Sequence, residues 1–327
     1  MKDNKKFSEE YLKDRACGAL IGLAIGDSLG DAARKDDNRS SYGVTTDFNK
    51  GAAWSTDDTE FGLLTAQTLI ECKGKLTTDI VVESWMQNVA VQDEFARGGA
   101  SEKQAANNLK KGLLPPISGK YNTFHMSDGA AMRIAPVGIV CAGDPEKAAA
   151  MAKIDAEVSH YRDGIWGAQA VAAAISLAMV DSEWDEIFDC VKNYANEDSW
   201  FYYELQRTEE ILKEHNYDIL DSWMPLHDEL KCTTWATTAE AIPAAIGCLK
   251  LEHSNFKKGL ILASNYARDA DTIGAVAGAI LGAKYGMKSI PERWVEKTRY
   301  PSGTCLQFTK GKDILAMAEK LSDLIEL

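Results

Sequence analysis

Two short acidic segments, far apart in the chain, contain the residues best suited to chemistry. The first is Trp54-Ser-Thr-Asp-Asp-Thr-Glu60 and the second is Arg268-Asp-Ala-Asp-Thr272. Each lies where a polar stretch becomes a long apolar segment, which predicts the first turn of a helix. Acids and hydroxyls there cap free backbone N–H groups and suit the helix dipole. Paired Asp and Thr also supply the oxygen ligands of a magnesium-like ion, so capping and metal binding both stay open.

The elements that must position these segments are predicted to be helices. Apolar residues recur at helical spacing, and the β-branched alternation of strands is nearly absent. The predicted helices span 11–32, 59–72, 77–91, 145–158, 164–180, 237–251, 256–266 and 273–285. No low-complexity linker divides the chain, which predicts one compact all-α domain over residues 1–327. Two long loops, around 33–53 and 112–130, have lengths that indicate function.

Two of these helices carry glycine at every fourth position: Gly18, Gly22, Gly26 and Gly30 in one, and Gly274, Gly278, Gly282 and Gly286 in the other. A glycine inside a helix costs about 1 kcal/mol relative to alanine, so the pattern needs a compensating reason. A spacing of four places each set on one stripe, where another backbone can come close. The pattern predicts two central helices that are packed tightly, with each other as the natural partner.

Composition and charge restrict the possible partners and compartment. The net charge is −13 and no Lys/Arg block is present, so the sequence predicts no nucleic-acid partner. The seven cysteines are odd in number and form no CxxC, which favours reduced thiols and a cytoplasmic location. We also expect no signal peptide and no membrane-spanning segment, because Asp27 interrupts the most apolar run. A monomer and a dimer are both compatible with the sequence.

Six motifs occur in the order typical of a known family. They are Gly18-Ala-Leu-Ile-Gly-Leu-Ala-Ile-Gly-Asp27, Ser55-Thr-Asp-Asp-Thr-Glu60, Ser127-Asp-Gly-Ala-Ala-Met-Arg-Ile-Ala-Pro136, Ser159-His160, Arg268-Asp-Ala-Asp-Thr-Ile-Gly274 and Ile290-Pro-Glu-Arg-Trp294. Together they cover the chain from about residue 14 to about residue 299, and the sequence resembles the ADP-ribosylglycohydrolase family. That family includes the dinitrogenase-reductase-activating glycohydrolases and the ADP-ribosylarginine and ADP-ribosylserine hydrolases. The resemblance implies a compact orthogonal multi-helix bundle with a centre of two Mg²⁺ or Mn²⁺ ions in a cleft.

The resemblance also assigns roles to individual residues. The implied metal ligands are Thr56, Asp57, Asp58, Asp269, Asp271 and Thr272. Of these, Asp57, Asp58 and Asp271 are the expected catalytic carboxylates, and Asp271 is expected to bridge both ions. Two such ions can hold the vicinal hydroxyls of a ribose and lower the pKa of a bound water. Nearby carboxylates then stabilise the oxocarbenium-like state of glycosidic cleavage.

Several further residues match the family's substrate-facing motifs. The turn Ser127-Asp128-Gly129 is one from which the family reaches the phosphates or distal ribose, although its usual middle residue is Asn. The extra charge of Asp128 is unfavourable beside a pyrophosphate. His160 lies where the family has a His that lines the cleft, and a structural role for it is equally open. Asp27 is expected to be a structural hydrogen-bond acceptor, and Arg133 to pair with Asp128 or another internal acid.

Arg34 is the most informative departure from the family pattern. Many members carry a Glu there, on a mobile loop that reaches the second metal or its water. Either Asp31, Asp36 or Asp37 supplies the missing oxygen, or Arg34 contacts an anionic part of a different substrate, or the loop has diverged and Arg34 is simply exposed. Aromatic residues that could stack on a base are Tyr161, Trp166, Tyr202, Tyr203 and Trp235.

Three functions follow from these residues. The favoured one is metal-dependent removal of ADP-ribose from a modified protein side chain, most often arginine. The second is hydrolysis of a small ribosyl compound or nucleoside at the same centre, which Arg34 and Asp128 favour because they change the substrate-facing loops. The third is a non-catalytic binding or immunity protein that keeps the fold, and the intact acid pairs disfavour it.

Overall fold

The protein is described by a computed structural model that covers residues 7–48, 53–92 and 96–326, apart from the side chains of Asp36, Asn38 and Tyr42. The described residues form helices and contain no strand, which confirms the predicted all-α fold. A single isolated bridge joins Ser127 to Thr237.

The α-helices of the described residues are numbered in chain order. They are α1 (Glu9–Ala33), α2 (Asp36–Tyr42), α3 (Asp57–Glu71), α4 (Thr78–Asn88), α5 (Ala100–Lys110), α6 (Ile117–Lys120), α7 (Gly129–Met132), α8 (Ala135–Val140), α9 (Pro145–Ala156), α10 (Asp163–Met179), α11 (Trp184–Tyr194), α12 (Trp200–Glu214), α13 (Ile219–Leu230), α14 (Thr238–Leu251), α15 (Phe256–Ser264), α16 (Ala270–Tyr285), α17 (Glu292–Thr298) and α18 (Ile314–Ser322). Two short 3₁₀ helices, Met287–Ser289 and Gln307–Thr309, lie near the C-terminal end. All eight helices predicted from the sequence are present.

The two glycine-striped helices, α1 and α16, pack directly on each other, as predicted. The paired positions are Gly18 with Gly282, Gly22 with Gly278, Gly26 with Gly274, and Gly30 with Ala270, so the helices run antiparallel. A Cβ added to Gly274 would lie only 2.5 Å from the carbonyl oxygen of Gly26. Backbone therefore packs on backbone along most of the length of α1, and only glycine permits that separation.

Helix α1 is the core of the fold. It is long and apolar enough to cross a membrane by length and composition, which corrects the expectation that Asp27 rules out such a segment. However, 94% of its most apolar window is buried inside the protein. Helices α3, α10, α15 and α18 cover the sides of α1 that α16 leaves free. The apolarity of α1 is thus explained by its position among other helices.

The end of this central helix pair brings the acidic segments together. Because α1 and α16 are antiparallel, the C-terminal end of α1 lies beside the N-terminal end of α16. Asp27, near that end of α1, accepts hydrogen bonds from the backbone N–H of Thr56 (2.9 Å) and of Thr59 (3.2 Å). These bonds hold the beginning of α3 at the same place. Three helix ends therefore meet at one point.

Candidate metal centre

The first acidic segment begins α3. Thr56 is the N-cap residue, and its side-chain oxygen accepts a hydrogen bond from the backbone N–H of Asp58 (3.3 Å). The Thr56 hydroxyl lies 2.7 Å from Oδ1 of Asp27, to which it donates. Asp27 is therefore a buried acceptor that ties α1 to α3, as the structural interpretation predicted. Asp57 and Asp58 follow in the first turn of the helix.

The second acidic segment begins α16 but does not cap it. Asp269 occupies the N-cap position without a side-chain capping bond, and Asp271 and Thr272 follow in the first turn. Helix capping therefore accounts for Thr56 in the first segment and for no residue of the second. Of the two interpretations, capping and metal binding, only metal binding is left for the carboxylates of Asp269 and Asp271.

The carboxylates of the two segments converge. One oxygen from each of Asp27, Asp58 and Asp271 lies within 4.8 Å of the others, and all three side chains are buried. Oδ1 of Asp58 has no hydrogen-bond partner among the described residues. A buried carboxylate oxygen without a partner lowers the stability of the folded protein. Coordination of a hard divalent cation would supply the missing partner. The residues therefore fit a Mg²⁺ or Mn²⁺ ion.

The aspartates of this cluster have raised pKa values, because they are buried close to one another. Burial, with the charges of Glu102 and Asp27, raises the pKa of Asp57 to about 8. Burial also raises the pKa of Asp27 to about 6, against the hydrogen bonds from Thr59 and Thr56. The pKa values of Asp58 and Asp271 lie well above the ordinary value because both are buried beside other acids. The protein gathers more negative charge here than its own cations balance.

Arg34, just past the end of α1, reaches into this cluster. Its Nη1 lies 2.6 Å from Oδ1 of Asp271 and 3.2 Å from Oδ1 of Asp269. Its Nη2 lies 3.2 Å from Oδ1 of Asp31, and Trp235 covers the guanidinium at 5.7 Å. The Arg34 side chain is only 22% exposed, so it is not a surface residue of a diverged loop. It contacts the acids of the site itself.

Of the acids proposed to supply an oxygen in place of the family's Glu, only Asp31 is shown at the site. Asp31 is buried and pairs with Arg34, Lys35 and Arg97. Burial opposes its ionisation, but the hydrogen bonds from Arg97 and Lys35 outweigh it and hold the pKa of Asp31 below its ordinary value. Asp37 is exposed, and the Asp36 side chain lies outside the described residues.

The turn Ser127-Asp128-Gly129 forms another wall of the site. Asp128 is buried, and burial together with neighbouring Asp269 raises its pKa well above the ordinary value. The same burial and the neighbouring acid make the charged form of Asp128 unfavourable. The Ser127 hydroxyl donates a hydrogen bond to the Ser101 hydroxyl (2.9 Å) and also lies 2.9 Å from Nε2 of His160, so its hydrogen-bonding capacity is used within the protein.

His160 and Arg133 lie behind that wall. His160 is fully buried between Ser127 and Ser159, and burial with the nearby Arg133 charge lowers its pKa well below the ordinary value. Its side chain does not line the cleft, so the structure favours the structural role over substrate contact. Arg133 pairs with Asp155 at 2.8 Å rather than with Asp128.

A cleft of about 640 Å³ opens over the acids. Residues 123–129 of the second long loop line it, and so does Arg34 at the start of the first. Its aromatic lining consists of Phe124, Trp200 and Trp235, of which only Trp235 belongs to the predicted set. A cleft of this size accepts a nucleotide-sized molecule. A cluster of acidic oxygen atoms under such a cleft could hold a divalent ion close to a bound substrate.

Comparison with known proteins gives the family. The family model for ADP-ribosylglycohydrolase matches residues 8–327, and the chain belongs to this family. It is 26% identical to the ADP-ribosylarginine hydrolase Tri1 of Pseudomonas putida over 89% of this chain and 76% of the relative. It is 24% identical to ADP-ribosyl-[dinitrogen reductase] glycohydrolase of Rhodospirillum rubrum over 87% of this chain and 90% of the relative.

A solved structure shares the fold. It is described as an ADP-ribosylglycohydrolase-related protein complex, with a TM-score of 0.67, 20% identity, and coverage of 97% of this chain and 100% of that one. Members of the family are hydrolases of ribosyl glycosidic bonds, and this protein is an enzyme of that class. Both the family and the enzyme class predicted from the motifs are confirmed.

Two charged residues at the site were not predicted from the sequence. Glu102, in the first turn of α5, is buried beside Asp57 and raises its pKa. Arg97 pairs with Asp31 and lines the cleft. Glu102 is a single acid in a helix's first turn, where capping is the ordinary explanation, and Arg97 stands in a loop. Neither has a spacing that distinguishes it from a surface residue.

Proposed function

We propose that the protein hydrolyses the glycosidic bond between ADP-ribose and a modified protein side chain, with arginine as the favoured acceptor, and that the reaction requires a divalent metal ion. The observation that carries the proposal is the convergence of Asp27, Asp58 and Asp271 at the base of the cleft, with Oδ1 of Asp58 left unpartnered. Family membership supplies the ribosyl linkage, and the two hydrolase relatives named above support a protein-linked substrate.

The residues that would hold metal are those of the two acidic segments: Thr56, Asp57, Asp58, Asp269, Asp271 and Thr272. All of them line the cleft. They offer only oxygen atoms, which favours Mg²⁺ or Mn²⁺ over zinc. When bound, such an ion would orient the vicinal ribose hydroxyls and lower the pKa of a bound water.

The carboxylates also act directly on the substrate in this proposal. Glycosidic cleavage places positive charge on the anomeric carbon and its ring oxygen. Asp57 is half-buried and faces the cleft beside Asp58 and Asp271, so the three carboxylates stabilise that charge. Phe124, Trp200 and Trp235 offer flat apolar surfaces on which the adenine base can stack.

In the sequence, Arg34 and Asp128 favoured a small ribosyl substrate, and their positions in the structure weaken both arguments. The Arg34 guanidinium is bound to the site's own acids and is not presented to an anionic substrate group. Asp128 is buried and its pKa is raised well above the ordinary value, so its negative charge is disfavoured and its repulsion of a diphosphate is weakened. Both observations favour an ADP-ribose linkage, and a nucleoside remains the alternative outcome of the experiment below.

The experiment compares substrates and metals with one inactive control. Purified protein is incubated with Mg²⁺, Mn²⁺, Zn²⁺ or excess chelator, and offered ADP-ribosyl-arginine protein, ADP-ribosyl-serine peptide or a nucleoside panel. We expect release of ADP-ribose from the arginine-linked protein, supported by Mg²⁺ or Mn²⁺ and lost in chelator. Asp271→Asn, which keeps the size of the side chain, is the matched inactive control. Full activity in chelator, or cleavage of nucleosides alone, would overturn the proposal.

The state of the cysteines bears on the compartment in which the protein works. The seven cysteines are all unpaired, which supports our proposal that the protein works in a reducing cytoplasm. A monomer and a dimer are both compatible with the proposed reaction.

A further inference from the structure

Arg34 occupies a position that a metal ion would otherwise be expected to fill. Its guanidinium contacts one oxygen each of Asp271, Asp269 and Asp31, which come from two different helices. At 2.6–3.2 Å the guanidinium neutralises carboxylates from separate helices and holds them together, which is also the effect of a bound metal cation. Arg34 is therefore a resident cation of the α16 side of the site.

The two sides of the site are unequal in this respect. On the α16 side, Asp269 and Asp271 both have the Arg34 guanidinium as a partner. On the α3 side, Oδ1 of Asp58 has no partner among the described residues, and Oδ2 lies 3.2 Å from the Thr56 hydroxyl. No described Lys or Arg nitrogen lies within ion-pair distance of Asp58. Oε1 of Glu102 and Oδ2 of Asp128, which also line the cleft, have no hydrogen-bond partner among the described residues either, but of these three acids only Asp58 belongs to the converging carboxylates. A further cation is therefore expected at Asp58.

We infer that Arg34 takes the place of a second metal ion, so that the centre binds one divalent ion, on the Asp58 side. This inference rests on the metal centre of the proposed function, and it replaces with one ion the two ions that the family resemblance implies. A second ion would have to displace the guanidinium from Asp269 and Asp271, and would be repelled by its charge if it stayed nearby. Arg34 is a positioning residue here, because it acts through the carboxylates.

The guanidinium is held from more than one direction, which makes displacement unfavourable. Trp235 covers it at 5.7 Å, a distance at which a cation is attracted to the face of the indole. Burial lowers the proton affinity of Arg34, but the surrounding Asp271, Asp269 and Asp31 outweigh it and raise its pKa. The surrounding acids therefore favour the charged form of Arg34.

The test counts metal ions directly and does not use activity. Metal-free protein is titrated with Mn²⁺ by isothermal calorimetry, and the bound Mn²⁺ is examined by electron paramagnetic resonance. We expect one ion per wild-type chain, with the spectrum of an isolated ion. We expect two ions per chain in Arg34→Ala, with the spectrum of an exchange-coupled pair, because Asp269 and Asp271 are released.

Two further variants separate position from charge. Lys35→Ala removes the neighbouring cation, whose Nζ lies 2.8 Å from Oδ2 of Asp31, and should leave one ion per chain. Arg34→Lys keeps the charge and should also bind one ion. Circular dichroism and the melting temperature of each variant show whether it folds, and Arg34→Gln replaces Arg34→Ala if the latter does not.

The outcomes distinguish this inference from the proposed function. Two ions in the wild type overturn the inference and leave the proposed function standing. The inference is also overturned if the wild type and the folded Arg34→Ala or Arg34→Gln variant each bind one ion. In that case Arg34 does not exclude a second metal ion. A wild type that binds no Mn²⁺ overturns the inference and the proposed metal centre together.

Discussion

Asp58 and Glu60 lie two residues apart in the first turn of α3, and the fold treats them in opposite ways. Both are buried. Glu60 accepts hydrogen bonds from the Ser55 hydroxyl at 2.7 Å and from three backbone N–H groups of residues 304–306 at 2.6–3.0 Å. Asp58 has one oxygen without a partner and the other 3.2 Å from Thr56.

The difference shows how a structural acid can be distinguished from an acid of the site. The charge of Glu60 is satisfied entirely by the chain's own hydrogen-bond donors, which tie the segment after α17 to the beginning of α3. Asp58 is held in place, but one of its oxygens has no hydrogen-bond partner, which destabilises the metal-free protein. Binding of a cation to that oxygen would remove this destabilisation. Burial alone would have classed the two acids together.

Substitution of Asp58 should act mainly on catalysis. Asp58→Asn removes the charge that a divalent ion needs while keeping the side chain's size. Loss of a residue that merely orients a ligand costs 10–100-fold, so loss of the ligand itself should lower kcat at least about 100-fold. The melting temperature of the metal-free protein should not fall, because an unfavourable buried charge is removed. Steady-state kinetics and thermal melts measure both, and near wild-type turnover would exclude Asp58 from the centre.

Glu60→Gln should do the reverse. The amide of Gln presents N–H groups to backbone donors, so at least two buried groups lose a partner and the free energy of unfolding should fall by about 3 kcal/mol. The kcat of the folded enzyme should change little, since Glu60 does not line the cleft. Urea denaturation at pH 7 is the measurement. Glu71→Gln, at the exposed end of the same helix, is the control and should be near neutral; an unchanged midpoint for Glu60→Gln would contradict the structural role.

Metal binding should reveal the same contrast as a shift in stability. At thirty times its Kd, an ion that binds only the folded state stabilises it by about 2 kcal/mol. Added Mn²⁺ should therefore raise the melting temperature of the wild type and of Glu60→Gln, and excess chelator should reverse the shift. Asp58→Asn should show almost no shift. An equal shift in all three proteins would mean that the ion binds elsewhere.

A third acid gives the smallest effect and serves as a reference for pH. Glu209 pairs with Lys250 and Lys213 and accepts from the Tyr217 hydroxyl. Burial opposes its ionisation, but these partners lower the pKa of Glu209 to about 2. Because this folded-state pKa is below the ordinary value, the stabilisation is complete above about pH 4.5 and is lost as the pH falls towards about 2.

Glu209→Gln should accordingly lower stability by less than about 1 kcal/mol at pH 7, because the pairs are partly exposed. The difference between the variant and the wild type should disappear near pH 2. Urea midpoints at a series of pH values test this. A difference that persists at the lowest pH would assign the effect to packing instead of charge.

The sequence predicted the central helices because their pattern has few alternative explanations. Glycine at every fourth position of α1 and α16 has no low-cost use except close backbone contact. Helices α11, α12 and α13 were not predicted, since peripheral helices bury only a narrow face. Helix α11, for example, buries Ile187, Phe188, Cys190 and Val191 among charged neighbours.

The site was predictable to the extent that its residues are neighbours in sequence. Asp57 with Asp58, and Asp269 with Asp271, are recognisable as pairs at helix starts. Their meeting with Asp27 depends on the antiparallel packing of α1 and α16, which the glycine stripes only suggested. The direction of the long Arg34 side chain depends on which carboxylates surround it, and no spacing along the chain encodes that.

The glycine contact between α1 and α16 also makes the geometry of the centre independent of side-chain adjustment. In most helix pairs the separation depends on how interlocking side chains pack, so a core substitution can slide one helix along the other. Here the carbonyl oxygen of Gly26 rests on the backbone at Gly274, directly beside Asp27 and three residues from Asp271. The spacing of these two acids is therefore fixed by peptide geometry. Substitutions in the surrounding core should lower the melting temperature before they change the distance between the two carboxylates.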